Sequence, residues 1–149
     1  MGIVEVTRMK KEEKLLNLLE RIRNISVLCI GDIIYDKFIK GSVNRISPEA
    51  PIPVLRALKE TSSLGGAGNV AANLVSLNCR TILIGTIGDD VDGRSITNLL
   101  DKVSGLTAEI VLNKEQSTTT KSRFISSGQH LLRVDRESLT AISEVVTKE

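Results

Sequence analysis

Apolar residues recur along this chain at two spacings, and each change of spacing marks a boundary between elements. Over residues 11–23, Leu15, Leu18, Leu19 and Ile22 fall on one helical stripe among charged neighbours. That predicts an amphipathic leading helix within residues 1–24, suited to docking or to flanking a dimer contact. The run SVLCI at residues 26–30 is apolar without alternation and stops at Gly31-Asp32, which predicts a strand buried on both faces of a parallel sheet. From residue 36 to 64 the texture turns mixed. All three prolines, Pro48, Pro51 and Pro53, lie there in RISPEAPIPV, a density that excludes helix and central strand but suits edge strands joined by extended turns. The section reads as a β-excursion, a lid projecting from the main sheet.

Gly65-Gly66 ends the excursion, and residues 67–77, rich in Ala, Asn and Val, predict a helix. Residues 81–86 give the next buried strand and GDDVDG a turn. Residues 95–102 give a helix with Ile96, Leu99 and Leu100 inward, and residues 108–112 another strand. TTTKSRFIS and HLLRVDRE read as two strands around Ser127-Gly128, so residues 117–137 form a hairpin and the second lid segment. Residues 139–146 begin a last helix. Strands and helices in this order predict a doubly wound α/β layer with an inserted β-lid.

Composition narrows the function classes. At 149 residues the chain has the length of one ordinary domain. Aromatics are only Tyr35, Phe38 and Phe124, so the core is built from Ile, Leu, Val and Ala, and stacking platforms for single-stranded nucleic acid are lacking. The basic cluster Arg8, Lys10, Lys11 and Lys14 is offset by Glu12, Glu13 and Glu20, and the net charge is +2. This reads as a solvated helix face rather than a nucleic-acid surface. Cys29 and Cys79 sit in apolar runs without metal-ligand spacing and read as reduced core thiols. No apolar run reaches membrane-spanning length, and the N-terminus lacks a signal-peptide core. The expectation is a cytoplasmic protein with neither nucleic acid nor membrane as partner.

Candidate chemistry begins at GGAGNVAAN, residues 65–73. Two glycines ahead of a helix let backbone approach a ligand closely, the helix N-terminus offers free N–H groups, and Asn69 sits in the first turn. A tight strand-to-helix turn with no ligand fits the same letters. So does a relaxed dinucleotide fingerprint from Gly66, Gly68 and Ala71 with Asp89 beyond, although the preceding segment carries too many polar residues for a Rossmann strand. Asp32 and Asp36 follow the first strand, where an open α/β sheet binds ligands, and a carboxylate there can accept hydrogen bonds from sugar hydroxyls. Lys121 and Arg123 share one face of their strand by period two, as do Arg133 and Asp135 on theirs. Such cations can clamp a phosphate or form cross-strand ion pairs. His130 reads as a turn residue, and GDDVDG as the turn that opens a helix rather than a metal loop.

The ordered blocks GDIIYD, RISPEAPIPV, GGAGNVAANLVSL, GTIGDDVDG and TTTKSRFISSGQHLLRVD resemble the ribokinase-like carbohydrate kinases. RISPEAP together with TTTK and LLRVD resembles most the heptose 7-phosphate kinases that form the kinase domain of bifunctional heptose kinase/adenylyltransferases. The resemblance covers residues 26–135 and implies a ribokinase-like doubly wound sheet, present in part, with an inserted β-lid. It implies transfer of phosphate from ATP, with Mg2+, to the anomeric hydroxyl of a heptose 7-phosphate on the route to ADP-heptose and lipopolysaccharide. By position, Asp36, Gly65, Gly66 and Asn69 match the family's sugar-binding residues, and Lys121 and Arg133 are candidates for the substrate phosphate. The lid segments match the part of the family that commonly forms a homodimer contact. Asn78 stands where the family usually has Gly after the helix, and Gly68 where it usually has Ala. The family's GxGD segment, which supplies the catalytic Asp and an anion hole, does not occur in residues 1–149 and is expected beyond Glu149. The resemblance therefore implies no catalytic residue within the chain and no kinase activity for it alone. Two other readings stay open: a non-catalytic sugar-binding or dimerisation module, and a dinucleotide-binding domain.

Overall fold

The order of strands and helices follows from which runs can bury an apolar face. The computed structural model describes residues 3–141. Helix α1 (Ile3–Ile22) leads into β1 (Ser26–Ile30); two long strands follow, β2 (Ile33–Ile46) and β3 (Pro53–Gly66). Then come α2 (Ala67–Ser76), β4 (Arg80–Gly88), α3 (Val91–Leu100), β5 (Leu106–Asn113), β6 (Thr120–Ser126) and β7 (Gln129–Arg136). They form two sheets. A parallel sheet has the order β1-β4-β5, and a mixed sheet, the lid, has the order β3-β2-β6-β7.

The chain crosses between the sheets three times. β2 leaves the end of β1 and pairs antiparallel with β3; Pro48 and Pro51 lie in the connection between them, and Pro53 is the first residue of β3, where its missing N–H costs no central ladder bond. The chain then returns through α2 to β4 and later leaves β5 for β6, which pairs parallel with β2 from Tyr35↔Thr120 onward. Ser127 (φ 50°) and Gly128 (φ 79°) form the tight turn between β6 and β7, with both residues at positive φ.

The core lies where α2 and α3 cover the parallel sheet. Ile33, Leu83, Ile87, Ile96 and Leu100 are buried around Ala71, each contributing about 1.5–3 kcal/mol on burial. Ile33 opens β2 yet belongs to this core, so the first residue of the lid is fixed by the packing of the main layer.

Three expectations need correction. β1 is not buried on both faces: Val27 and Cys29 turn toward the helices, whereas Leu28 and Ile30 are 54% and 70% exposed. The same bare face carries Ile82, which pairs with Leu28, because among the described residues both helices that pack on this sheet lie on the opposite side. Helix α3 begins at Val91 rather than residue 95, since Asp90 caps it and Gly93 fits inside its first turn. The last predicted helix, residues 139–146, falls mostly outside the described residues, and Leu139, Thr140 and Ala141 are not helical. Helix α1 lies within its predicted bounds and starts ahead of the apolar stripe, but Leu15, Leu16 and Leu18 on it remain exposed.

Asn78, the departure from the usual Gly after α2, has φ 63°. The left-handed conformation that ends this helix tolerates Asn best after Gly, which explains why the exchange leaves the turn intact.

Candidate functional site

Strand alternation places the two faces of β2 in different environments. Ile33 and Tyr35 pack toward the core and Lys37 toward α3, while Ile34, Asp36 and Phe38 face the other way. The β2–β3 register sets Ile34 against Gly65 and Ile33 against Gly66. The Asp36 side chain leans across this pair: a Cβ on Gly65 would lie 2.5 Å from Asp36 Oδ2 and 2.9 Å from its Cγ. Glycine is therefore required at position 65 for the carboxylate to rest where it does. Gly66 has φ 56° and caps α2 without a side chain, and the Ala67 N–H donates to the Asp32 carbonyl at 2.9 Å. Asn69 follows in the first turn of α2 and is exposed. Asp36, Gly65 and Gly66 thus meet at one corner, at the start of the helix that bears Asn69.

The second lid segment adds the charges. Register sets Asp36 beside Lys121 and Phe38 beside Arg123, and then Lys121 beside Asp135 and Arg123 beside Arg133. All share the Asp36 face. Arg123 Nη1 donates to Asp36 Oδ1 at 2.5 Å, and the guanidinium lies over the Phe38 ring at 5.2 Å from its centroid. The two candidate phosphate cations are both held by one acid. Arg133 Nε donates to Asp135 Oδ1 at 2.9 Å, and Lys121 Nζ is 3.8 Å from Asp135 Oδ2. The cross-strand ion pairs that the sequence offered as one alternative are therefore present, and a bound phosphate has to draw these cations from Asp135. Arg123, which the sequence offered with Lys121 as a phosphate clamp or an ion-pair partner, is the cation that touches Asp36. Period two gave its face, but its partner required the β2–β6 register.

On the same face a polar cleft of about 200 Å³ opens between the lid and the C-terminal ends of β1, β4 and β5. Asp32, Ile34, Thr86, Asn113, Thr119 and Lys121 are among the residues that line it. Asn113 Oδ1 accepts from the Glu115 N–H at 2.9 Å, while its buried Nδ2 has no partner among the described residues. A clamp ties the lid to the main layer at this edge. Asp90 accepts from the Gly93 N–H (2.7 Å), the Thr118 N–H (2.9 Å) and the Thr118 hydroxyl (2.7 Å), and Thr118 Oγ1 accepts from the Gly88 N–H at 2.9 Å. Partial burial alone would raise the Asp90 pKa. The hydrogen bonds from Thr118, Gly93 and the backbone at Asp92 outweigh it and hold the carboxyl below the ordinary value of 3.8. GDDVDG is thus the opening of α3, as its sequence suggested, and Asp90 is its cap. On the opposite lid face Lys37 Nζ meets Asp92 at 2.6 Å, a second tie to α3.

The dinucleotide alternative loses its context here. The strand entering α2 is the antiparallel lid strand β3, not the parallel strand of a βαβ unit. Among the described residues no three His, Cys, Asp or Glu side chains converge as a metal-binding set. His130 is exposed beside the β6–β7 turn. No described helix is long and apolar enough to cross a membrane.

Known proteins resemble this chain in sequence and in fold. The chain is 48% identical over 136 residues to a bifunctional protein HldE of Hyphomonas neptunium, covering 91% of this chain and 28% of the relative. It is 46% identical over 132 residues to a bifunctional protein HldE of Paramagnetospirillum magneticum, covering 89% and 27%. The chain thus spans about a quarter of the length of these relatives. Among solved structures it superposes on a carbohydrate kinase from Agrobacterium tumefaciens with TM-score 0.61 and 18% identity, over 75% of this chain and 35% of the other. It superposes on Arabidopsis thaliana ribokinase complexed with ribose and ATP with TM-score 0.53 and 19% identity, over 75% and 35%. These likenesses establish a ribokinase-like fold, present here in part. Residues 24–145, from the approach to β1 to beyond the lid hairpin, match the pfkB family carbohydrate kinases, and the chain belongs to that family.

Proposed function

We propose that this chain forms the sugar-phosphate-binding part of an ATP-dependent kinase that phosphorylates D-glycero-D-manno-heptose 7-phosphate at its anomeric hydroxyl, towards ADP-heptose and lipopolysaccharide. The observation that carries the reading is the Asp36 carboxylate resting over Gly65, beside Lys121, the one of the six candidate residues that lines the polar cleft. Its high identity to the HldE proteins supports the heptose branch of the family.

In this reading Asp36 accepts hydrogen bonds from sugar hydroxyls, which are charge-assisted and directional. The Gly65-Gly66 backbone allows close approach, and the Asn69 amide adds a donor and an acceptor. Lys121 and Arg133 exchange Asp135 for the phosphate that the substrate already carries, Arg by a bidentate contact. ATP is the phosphoryl donor and Mg2+ neutralises its charge when both are bound. Among the described residues no set of three His, Cys, Asp or Glu side chains would hold that ion. Phosphoryl transfer depends on positioning and on neutralising the moving phosphate. With no GxGD in residues 1–149, the chain by itself has neither the base nor the anion hole and does not turn over ATP. The homodimer contact belongs to the lid face opposite Asp36, where Leu132 and Val134 are 58% and 47% exposed. ATP as donor sets the cytoplasm as the place of reaction.

A thermal-shift titration with heptose 7-phosphate tests the site, with fructose 6-phosphate and NAD as comparators. A saturable shift with heptose 7-phosphate that is lost in Asp36→Ala is expected. A shift with NAD alone would refute the reading.

A further inference from the structure

We infer that Arg123 is the positioning residue of the sugar site, acting on the substrate through Asp36 rather than by touching the substrate itself. The inference rests on the function proposed above and adds a residue to it. Asp36 is bounded on two sides. Gly65 leaves the space that Oδ2 occupies, and Arg123 Nη1 holds Oδ1 at 2.5 Å. A carboxylate on a strand otherwise turns about its terminal torsion, whose wells are broad. Here one oxygen is anchored, so the second stays turned over Gly65.

Arg123 is itself held. Its guanidinium lies over the Phe38 ring, and Nη1 stands 3.5 Å from the Lys121 carbonyl. The side chain is 20% exposed and that of Asp36 17%, so the pair is largely shielded and keeps its geometry better than a surface ion pair does. Both supports come from elements adjacent to Asp36: Phe38 two residues along β2, Lys121 beside Asp36 on β6. The planar fork suits this task, because a lysine ammonium offers no flat face to Phe38 and no fixed direction to the carboxylate. Lys121 and Arg133, in contrast, are paired with Asp135 and remain the candidates for direct phosphate contact.

The experiment is a double-mutant cycle on the natively expressed polypeptide, with wild type, Arg123→Met, Asp36→Asn and the double variant. Dissociation constants are measured by calorimetry for the heptose 7-phosphate and for the unphosphorylated heptose. Arg123→Met keeps the apolar stem over Phe38 and is expected to weaken both ligands by about 10–100-fold, the scale of a misplaced binding group. In the Asp36→Asn background the same substitution is expected to add less than about 2-fold, because the group it positions is already impaired. Arg123→Lys, which retains a cation, is expected to give a smaller loss that also vanishes with Asn at position 36; it carries the cycle if Arg123→Met fails to fold.

Three results would overturn the inference. One is wild-type affinity in Arg123→Met. Another is a loss confined to the phosphorylated sugar, which makes Arg123 a phosphate contact. The third is an equal loss with and without Asp36, which makes its role structural. If wild type binds neither heptose, the functional reading falls first, and that outcome is distinct from all three.

Discussion

The clamp at Asp90 gives the most quantitative test of how the lid is attached. Asp90→Ala removes the N-cap of α3, a loss of about 0.5–2 kcal/mol. It also leaves the Thr118 N–H without its acceptor at a residue only 2% exposed, and a buried unsatisfied donor costs about 1–3 kcal/mol. The bonds share one carboxylate and do not add fully, so a total of about 2–4 kcal/mol is expected. Urea unfolding at pH 7 measures it, and amide exchange at Thr118 reports whether the lid edge opens locally. Sign follows from the lowered pKa. The folded value lies below 3.8, so the stabilisation is complete above the unfolded value and is lost as pH falls through the folded one. The gap between wild type and Asp90→Ala therefore narrows below about pH 4. A difference under about 0.5 kcal/mol at pH 7, or a gap unchanged down to pH 2, would refute the reasoning.

Gly65→Ala should separate stability from binding. The new methyl group meets the end of the Asp36 side chain, which can turn away; the unfolding midpoint then moves by less than about 1 kcal/mol while sugar affinity falls about 10-fold or more. Leu83→Ala empties the centre of the core at a residue with no exposure and should cost about 2–5 kcal/mol in urea unfolding. At Asn78, where φ is 63°, Gly should be neutral or slightly stabilising and Ala destabilising by about 1–2 kcal/mol, measured as the difference between the two variants.

Local pattern made much of the fold readable, and pairing across distance hid the rest. SVLCI gave β1 to the residue, and Ser127-Gly128 gave the hairpin, because both signals lie within a few neighbouring positions. The proline cluster announced the lid for the same reason. The start of α3 was obscured by Gly93 and three aspartates, which read as turn formers until Asp90 is seen to cap the helix. The bare face of β1 was not visible in SVLCI, since an unbroken apolar run says that both faces want cover and not that both receive it. At the site, Asp36 and Gly65-Gly66 were legible as a strand-end acid and a glycine pair ahead of a helix. What linked them to Arg123 and Asp135 was the register of β2 with β6 and of β6 with β7. That register depends on the returning chain and leaves no mark in the spacing of either strand alone.

The way the lid is threaded also sets an order of assembly. β2 and β3 can zip together as soon as both exist, since they are joined by one turn. The other edge of β2 stays unpaired until α2, β4, α3 and β5 have been made and β6 arrives opposite Tyr35. Closing so distant a contact is slow, and meanwhile an open strand edge invites the wrong neighbour. The lid is therefore no cassette to be cut out or grafted elsewhere. Its last strands report that the main layer has formed, and the corner that holds Asp36 becomes whole only at the end of that sequence.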